Sequence, residues 1–206
     1  MHILRDDVVV FQGDSITDAG RDRTDPQNLG IGYALLTTAA LRAELSDLNI
    51  NCFNRGVSGD RTKDLLSRWD QDCLELKPTV LSIMIGINNV WRRYDQGDPT
   101  SPEAFEAEYR SLLERARAKR VREVVMLEPF LLPYPNDRQQ MRDDLDPKLA
   151  VCRKLAREFD AHYVPLDGLF AAASIRAPEG YWAADGIHPS PAGHSLISSA
   201  WLELLA

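Results

Sequence analysis

The chain alternates between two hydrophobic periods from end to end. Short, continuous apolar runs rich in β-branched residues recur at 8–11, 50–54, 80–85, 121–127 and 162–166. Such runs are the pattern of strands buried on both faces of a parallel sheet. Between them the apolar residues recur at helical spacing. Leu65, Trp69, Cys73 and Leu76 share one stripe, with Thr62 as its cap, and Phe105, Tyr109, Leu112, Leu113 and Ala116 form a second behind Ser101-Pro102. Leu149, Cys152, Leu155, Ala156 and Phe159 form a third, where Asp146-Pro147 reads as cap and first helical residue. A fourth runs through Ile197, Ala200, Trp201 and Leu204 behind Ser190-Pro191.

Strands alternating with helices predict a three-layer α/β/α sandwich around a five-stranded parallel sheet with a flavodoxin-like winding. No repeat, low-complexity tract or Gly/Ser linker interrupts it, so residues 1–206 read as one domain. Two long loops, 21–30 and 129–144, are longer than a connection requires, which points to function.

Composition narrows the partners. With 24 Lys and Arg against 31 Asp and Glu, the net charge is −7, which argues against nucleic acid or an anionic membrane. The three cysteines, Cys52, Cys73 and Cys152, form no C-x-x-C pair and lie in apolar-periodic segments. They are expected as buried free thiols in a reducing compartment rather than disulfides or a metal site. No cationic start followed by an apolar stretch is visible, and no run approaches the ~20 apolar residues of a membrane span, so a cytoplasmic location is expected.

The candidate chemistry gathers at the ends of the predicted strands. Gly13 closes the first run, which places Ser15 on the turn beyond its carboxyl end, where ligands collect in open α/β sheets. A serine there is a nucleophile, a phosphate-binding hydroxyl or the cap of the next helix. A nucleophile needs a base, a group that orients the base, and oxyanion donors. Asp185-Gly186-Ile187-His188-Pro189 supplies the first two on a segment that Gly186 and Pro189 keep from being a regular helix. Asp185 can reach the imidazole Nδ1 there, leaving His188 Nε2 to face outward. His162 opens a strand, and His194, in the first turn of the last helix, reads as a capping or surface residue. Gly56, after the second strand, can offer a backbone N–H, and Asn88, after the third, a side-chain NH2. Each loop alone is an ordinary turn; together they bring one such residue from each of three successive strands to one sheet edge.

The four blocks Gly13-Asp14-Ser15, Asn54-Arg55-Gly56, Gly86-Ile87-Asn88 and Asp185-Gly186-Ile187-His188 resemble, in order and spacing, those of the SGNH hydrolases, also called GDSL esterases. The longer stretches around Ser15, Gly56 and Asn88 are similar to intracellular carbohydrate acetylesterases of that family, acetylxylan esterases above all. The resemblance implies a Ser15–His188–Asp185 triad and an oxyanion hole of Ser15, Gly56 and Asn88. It also implies an acetylated sugar as the small-molecule substrate, no metal or organic cofactor, and a homo-oligomer in several members. One departure concerns loop support: Asn89 stands where the family often has Asp.

Trp91 and Tyr94 follow Asn88, and Tyr181-Trp182 precede Asp185. All four are expected near the pocket mouth, either packing on sugar rings or wedging loops onto the domain. No extended apolar helix offers a tunnel for a long acyl chain, which favours acetyl esters. The rival readings are a broad short-chain esterase, thioesterase or lysophospholipase of the same family, a silent sugar-binding relative, and a flavodoxin-like FMN-binding module. Asp14 and Asp18 argue against the last, because carboxylates repel a phosphate.

Overall fold

The computed structural model describes residues 1–205, apart from the side chains of Asn136 and Asp137; the expected domain limit at Ala206 lies outside them. Five parallel strands form the sheet: β1 (Val8–Gly13), β2 (Asn51–Asn54), β3 (Val80–Met84), β4 (Glu123–Leu127) and β5 (His162–Val164). Their order is β2-β1-β3-β4-β5, the flavodoxin-like winding. β1 runs two residues beyond its apolar run, with Gln12 beside Ile83 and Gly13 beside Met84. β5 is cut short because Pro165 ends it and α8 (Leu166–Ser174) starts at once.

Side chains alternate along each strand, and both faces are covered. Val9, Phe11, Cys52, Val125 and Val164 face one core, against α2 (Tyr33–Glu44), α8 and α10 (Pro191–Leu202). Val10, Leu81, Ile83 and Met126 face the other, against α3 (Thr62–Ser67), α4 (Trp69–Asp72), α6 (Pro102–Ala118) and α7 (Arg142–Phe159). Short α1 (Ser15–Asp18), α5 (Ile87–Asp95) and α9 (Glu179–Trp182) lie at the carboxyl edge. All three cysteines are free and buried.

The sequence pattern gives no sign of α2, for a clear reason. Its buried stripe carries Thr37 and Thr38 beside Tyr33, Ala34 and Leu41, while Leu35 and Leu36 face solvent. Thr37 donates its hydroxyl hydrogen to Ser198 on α10 at 3.0 Å, so this interface is partly polar. The stripe through Leu65 and Leu76 is real in its burial of Leu65, Trp69 and Cys73, but its helix breaks after Ser67 and again after Asp72. Thr62 is the first helical residue rather than the cap; the Asp64 carboxylate accepts from the Arg61 N–H at 3.0 Å. α7 starts at Arg142, with Pro147 inside it rather than at its start. Asp143 and Asp144 suit the positive N-terminal end of that helix, and Asp146, expected as its cap, pairs with Arg142 at 2.6 Å.

The β1–β3 edge is packed without slack. A Cβ on Gly13 would lie 2.3 Å from both Met84 O and Thr17 Oγ1. Gly13→Ala is therefore expected to destabilise the protein by about 1–3 kcal/mol. Urea unfolding checks this: the midpoint should fall at an unchanged slope. A wild-type midpoint would show that the edge yields freely.

Candidate active site

The strand order reverses between β1 and β3, and the carboxyl edge beside that reversal is where a doubly wound sheet leaves a crevice. β1 ends at Gly13, and the chain turns directly into α1. Asp14 caps that helix, its Oδ1 accepting from Ile16 N–H at 3.0 Å. The capping role open to Ser15 thus falls to its neighbour. The Ser15 hydroxyl is left to donate to His188 Nε2 at 2.9 Å, across 173 residues of chain. A phosphate-loop reading does not fit this geometry, since the hydroxyl meets an imidazole and the flanking Asp14 and Asp18 are buried carboxyls.

His188 donates from Nδ1 to Asp185 Oδ2 at 2.6 Å, with the tautomer following from the network. Asp185 Oδ1 accepts two further backbone N–H groups, Ile187 at 3.0 Å and His188 at 2.7 Å. Burial pushes the Asp185 carboxyl up, but these donors outweigh it and hold the group well below the usual carboxylate range. The Asp185 hydrogen bond in turn raises His188 above its ordinary value, against the opposing effect of burial. Asp14 raises it further, and the Arg138 guanidinium lowers it. Asp14 itself is pushed up to about 7 by burial, against the Ile16 N–H bond and the nearby His188.

The oxyanion candidates stand at the ends of β1, β2 and β3. The Ser15 N–H, at the first position of α1, has no intrahelical carbonyl to bond. Asn88 lies in the first turn of α5; its Nδ2 donates to Asp60 O at 3.0 Å, and its Oδ1 accepts from Arg92 at 3.3 Å. Those two bonds fix which way the amide faces and leave one Nδ2 hydrogen for a ligand. Gly56 differs from expectation. Its N–H already donates to Asn54 Oδ1 at 2.9 Å, and its missing Cβ makes room for backbone, because that atom would lie 2.2 Å from Asp18 N.

Asn54, fully buried, is a residue that sequence reasoning overlooked. Its Nδ2 donates to Thr17 O at 2.6 Å and Leu29 O at 2.8 Å while its Oδ1 holds Gly56, so one amide joins the loops after β1 and β2. Asn89 supports the neighbouring loop: its Oδ1 accepts from Thr62 N–H at 3.1 Å and its Nδ2 donates to Thr62 Oγ1 at 2.9 Å. His194 caps α2, its Nδ1 accepting from Tyr33 N–H at 3.2 Å. Burial, with His188 nearby, drives its imidazole down to about 4, which keeps that nitrogen an acceptor.

The four aromatics divide. The half-buried Trp91 ring lies 5.9 Å from the His188 ring and carries the Arg138 guanidinium 4.8 Å from its centroid. Arg138 also donates from Nε to Asp185 O at 3.0 Å. The loop at 129–144 carried a functional signal through its length, but nothing in the pattern singled out Arg138. Tyr94 donates its hydroxyl hydrogen to Gln140 O at 2.9 Å, and Trp182 donates to Ala177 O at 3.2 Å. The first bond ties α5 to the loop at 129–144, and the second closes the turn ahead of α9. Tyr181, edge-on to Trp182, is exposed.

A sequence profile of the GDSL-like lipase/acylhydrolase family matches residues 11–196. An acetylxylan esterase of Geobacillus stearothermophilus is 33% identical over 98% of this chain and 95% of its own. The crystal structure of Axe2, an acetylxylan esterase of the same organism, superposes with a TM-score of 0.90 at 32% identity, covering 100% of this chain and 97% of Axe2. LAE5, an α/β hydrolase from the metagenome of Lake Arreo, superposes at 0.91 with 32% identity, covering 98% of this chain and 96% of its own. The sheet order, the site at its edge and these likenesses agree: the chain belongs to the GDSL-like lipase/acylhydrolase family, the SGNH hydrolases.

Proposed function

We propose that the protein is a serine esterase that removes acetyl groups from acetylated carbohydrates, xylooligosaccharides foremost. The observation that carries this reading is the unbroken chain of hydrogen bonds from Ser15 Oγ through His188 to Asp185. Ser15 Oγ attacks the ester carbonyl as His188 Nε2 takes its proton, and Asp185 stabilises the imidazolium that forms. The oxyanion is held by the Ser15 N–H and the free Asn88 Nδ2 hydrogen. Gly56 joins them by sharing its N–H with Asn54 Oδ1. Collapse expels the sugar alkoxide, which takes the proton from His188, and water then repeats the sequence on the acetyl-enzyme. The acetyl and sugar parts of the reading are supported by the 33% identical acetylxylan esterase. Trp91 beside His188 offers an aromatic edge for a sugar ring.

Ser15→Ala is expected to leave almost no ester hydrolysis. Asn88→Ala should lose about a hundredfold or more in kcat, the usual cost of one oxyanion donor. Near-normal turnover by Ser15→Ala would end the assignment. Acetylated xylooligosaccharides, an acyl thioester, a lysophospholipid and a simple octanoyl ester, tested side by side, check the substrate. The acetylated sugars should give the highest kcat/KM, and preference for any of the others selects the broader short-chain esterase, thioesterase or lysophospholipase reading.

The pH dependence follows from the site's charges. The base is neutral His188, whose proton affinity is raised, so the ascending limb of kcat/KM is expected to centre above the ~6.5 of an unperturbed imidazole. Asp14, near 7 and close by, titrates in the same window, so the limb belongs to the coupled pair. Asp185→Asn removes the largest raising influence, and should move the limb to lower pH while depressing the plateau. A limb that stays in place in Asp185→Asn would disconnect Asp185 from the base.

A further inference from the structure

Arg68 lies at the non-helical joint between α3 and α4, with φ −111° and ψ 8°, and it is absent from the triad and from the oxyanion donors. Its side chain is only 15% exposed, and its guanidinium reaches both the end of β1 and the loop after β2. Nε donates to Asp60 Oδ2 at 2.7 Å. Nη1 donates to Arg55 O at 2.8 Å, to Gln12 Oε1 at 3.1 Å and to Asp72 Oδ2 at 3.1 Å. Nη2 donates to Gly13 O at 3.2 Å.

Two of these contacts act on an oxyanion donor at one remove. The Arg55 carbonyl belongs to the same planar peptide as the Gly56 N–H, so holding the oxygen sets the direction of the hydrogen. Asp60 takes Arg68 on its side chain and Asn88 Nδ2 on its backbone oxygen, so it passes the position of one to the other. Gly13 O lies on the last residue of β1, two before Ser15. A planar fork with five hydrogens can meet these divergent acceptors at once, whereas a lysine ammonium is a point charge without that shape.

We propose that Arg68 is a positioning residue for the esterase reaction: its guanidinium sets the spacing and orientation of the Ser15, Gly56 and Asn88 donors. This rests on the reading of the site as a serine esterase. A misplacement of catalytic groups by about 1 Å costs on the order of a hundredfold in rate without altering the ground-state contacts. The loss therefore belongs in kcat rather than KM.

The experiment is a double-mutant cycle on 4-nitrophenyl acetate with Arg68→Lys, Asn88→Ala and the pair, and with Ser15→Ala as the control for the reading itself. Arg68→Lys is expected to lower kcat by roughly 10- to 100-fold with KM little changed. In the Asn88→Ala background the same substitution should cost less, because one of the three donors it orients is gone. Equal losses in the two backgrounds, or a loss confined to KM, overturn the proposal. Should Arg68→Lys fail to melt cooperatively, Asp60→Ala decides. That change cuts the link to Asn88 and leaves the Gly13 and Arg55 contacts in place. It should lower kcat in the wild-type background and hardly at all with Asn88→Ala, and full kcat in Asp60→Ala overturns the proposal. Activity retained by Ser15→Ala would instead remove the esterase reading, whatever Arg68 does.

Discussion

The geometry of this site hangs on how closely backbone segments approach one another at the carboxyl edge of the sheet. A methyl on Gly13 would strike Met84 O and Thr17 Oγ1, and one on Gly56 would strike Asp18 N at 2.2 Å. Between the two turns sits Asn54, buried and bonded to Thr17 O, Leu29 O and Gly56 N. A close-packed interior has few ways to relax, so the loop bearing Ser15 and the loop bearing Gly56 are held as one body. The imidazole, arriving from the far end of the chain, thus meets a turn braced by the neighbouring loop.

Around that imidazole, the same side-chain type is placed in two opposite environments. Asp185 accepts three donors and stays ionised. Asp14, fully buried, is pushed up to about 7 by that burial despite its bond from Ile16 N–H. Asp185 favours a positive His188 through contact and Asp14, once ionised, through its field, while Arg138 opposes them. In the reaction proposed above, the charge that forms on His188 is met by groups already in position, which is the arrangement that stabilises a transition state without reorganisation. Arg138 links this balance to the long loop at 129–144, since its Nε holds the Asp185 carbonyl.

The layers, strand order and Ser15–His188–Asp185 chain were legible because they follow from short buried runs and from the residues just after them. Periodicity reports burial when the buried face is apolar, and it failed for α2, where threonines are buried and leucines exposed. It also misread the start of α7, because a proline is tolerated within a helix that its first-turn acids and the Arg142–Asp146 pair support. The supporting polar residues were the least visible. Asn54, Arg68 and Arg138 act through side-chain bonds to backbone far away in sequence, and no local period records a contact of that kind. Gly56 was recognised, though the reason for a glycine there is the neighbouring loop rather than the pocket.

Asn89 shows how such a contact constrains the residue type. Its amide accepts from Thr62 N–H through Oδ1 and donates through Nδ2 to Thr62 Oγ1 and, at 3.3 Å, to Thr100 Oγ1. Accepting from the amide, the Thr62 hydroxyl donates its one hydrogen to Glu108. An aspartate, the residue the family often has here, accepts only. It would compete with Glu108 for that single hydrogen and set two carboxylates against one hydroxyl in a buried place, where unpaired charge is costly. Asparagine at 89 and glutamate at 108 are thus complementary choices. Asn89 ties α3 to α5, on which Asn88 rides, and Glu108 ties it to α6.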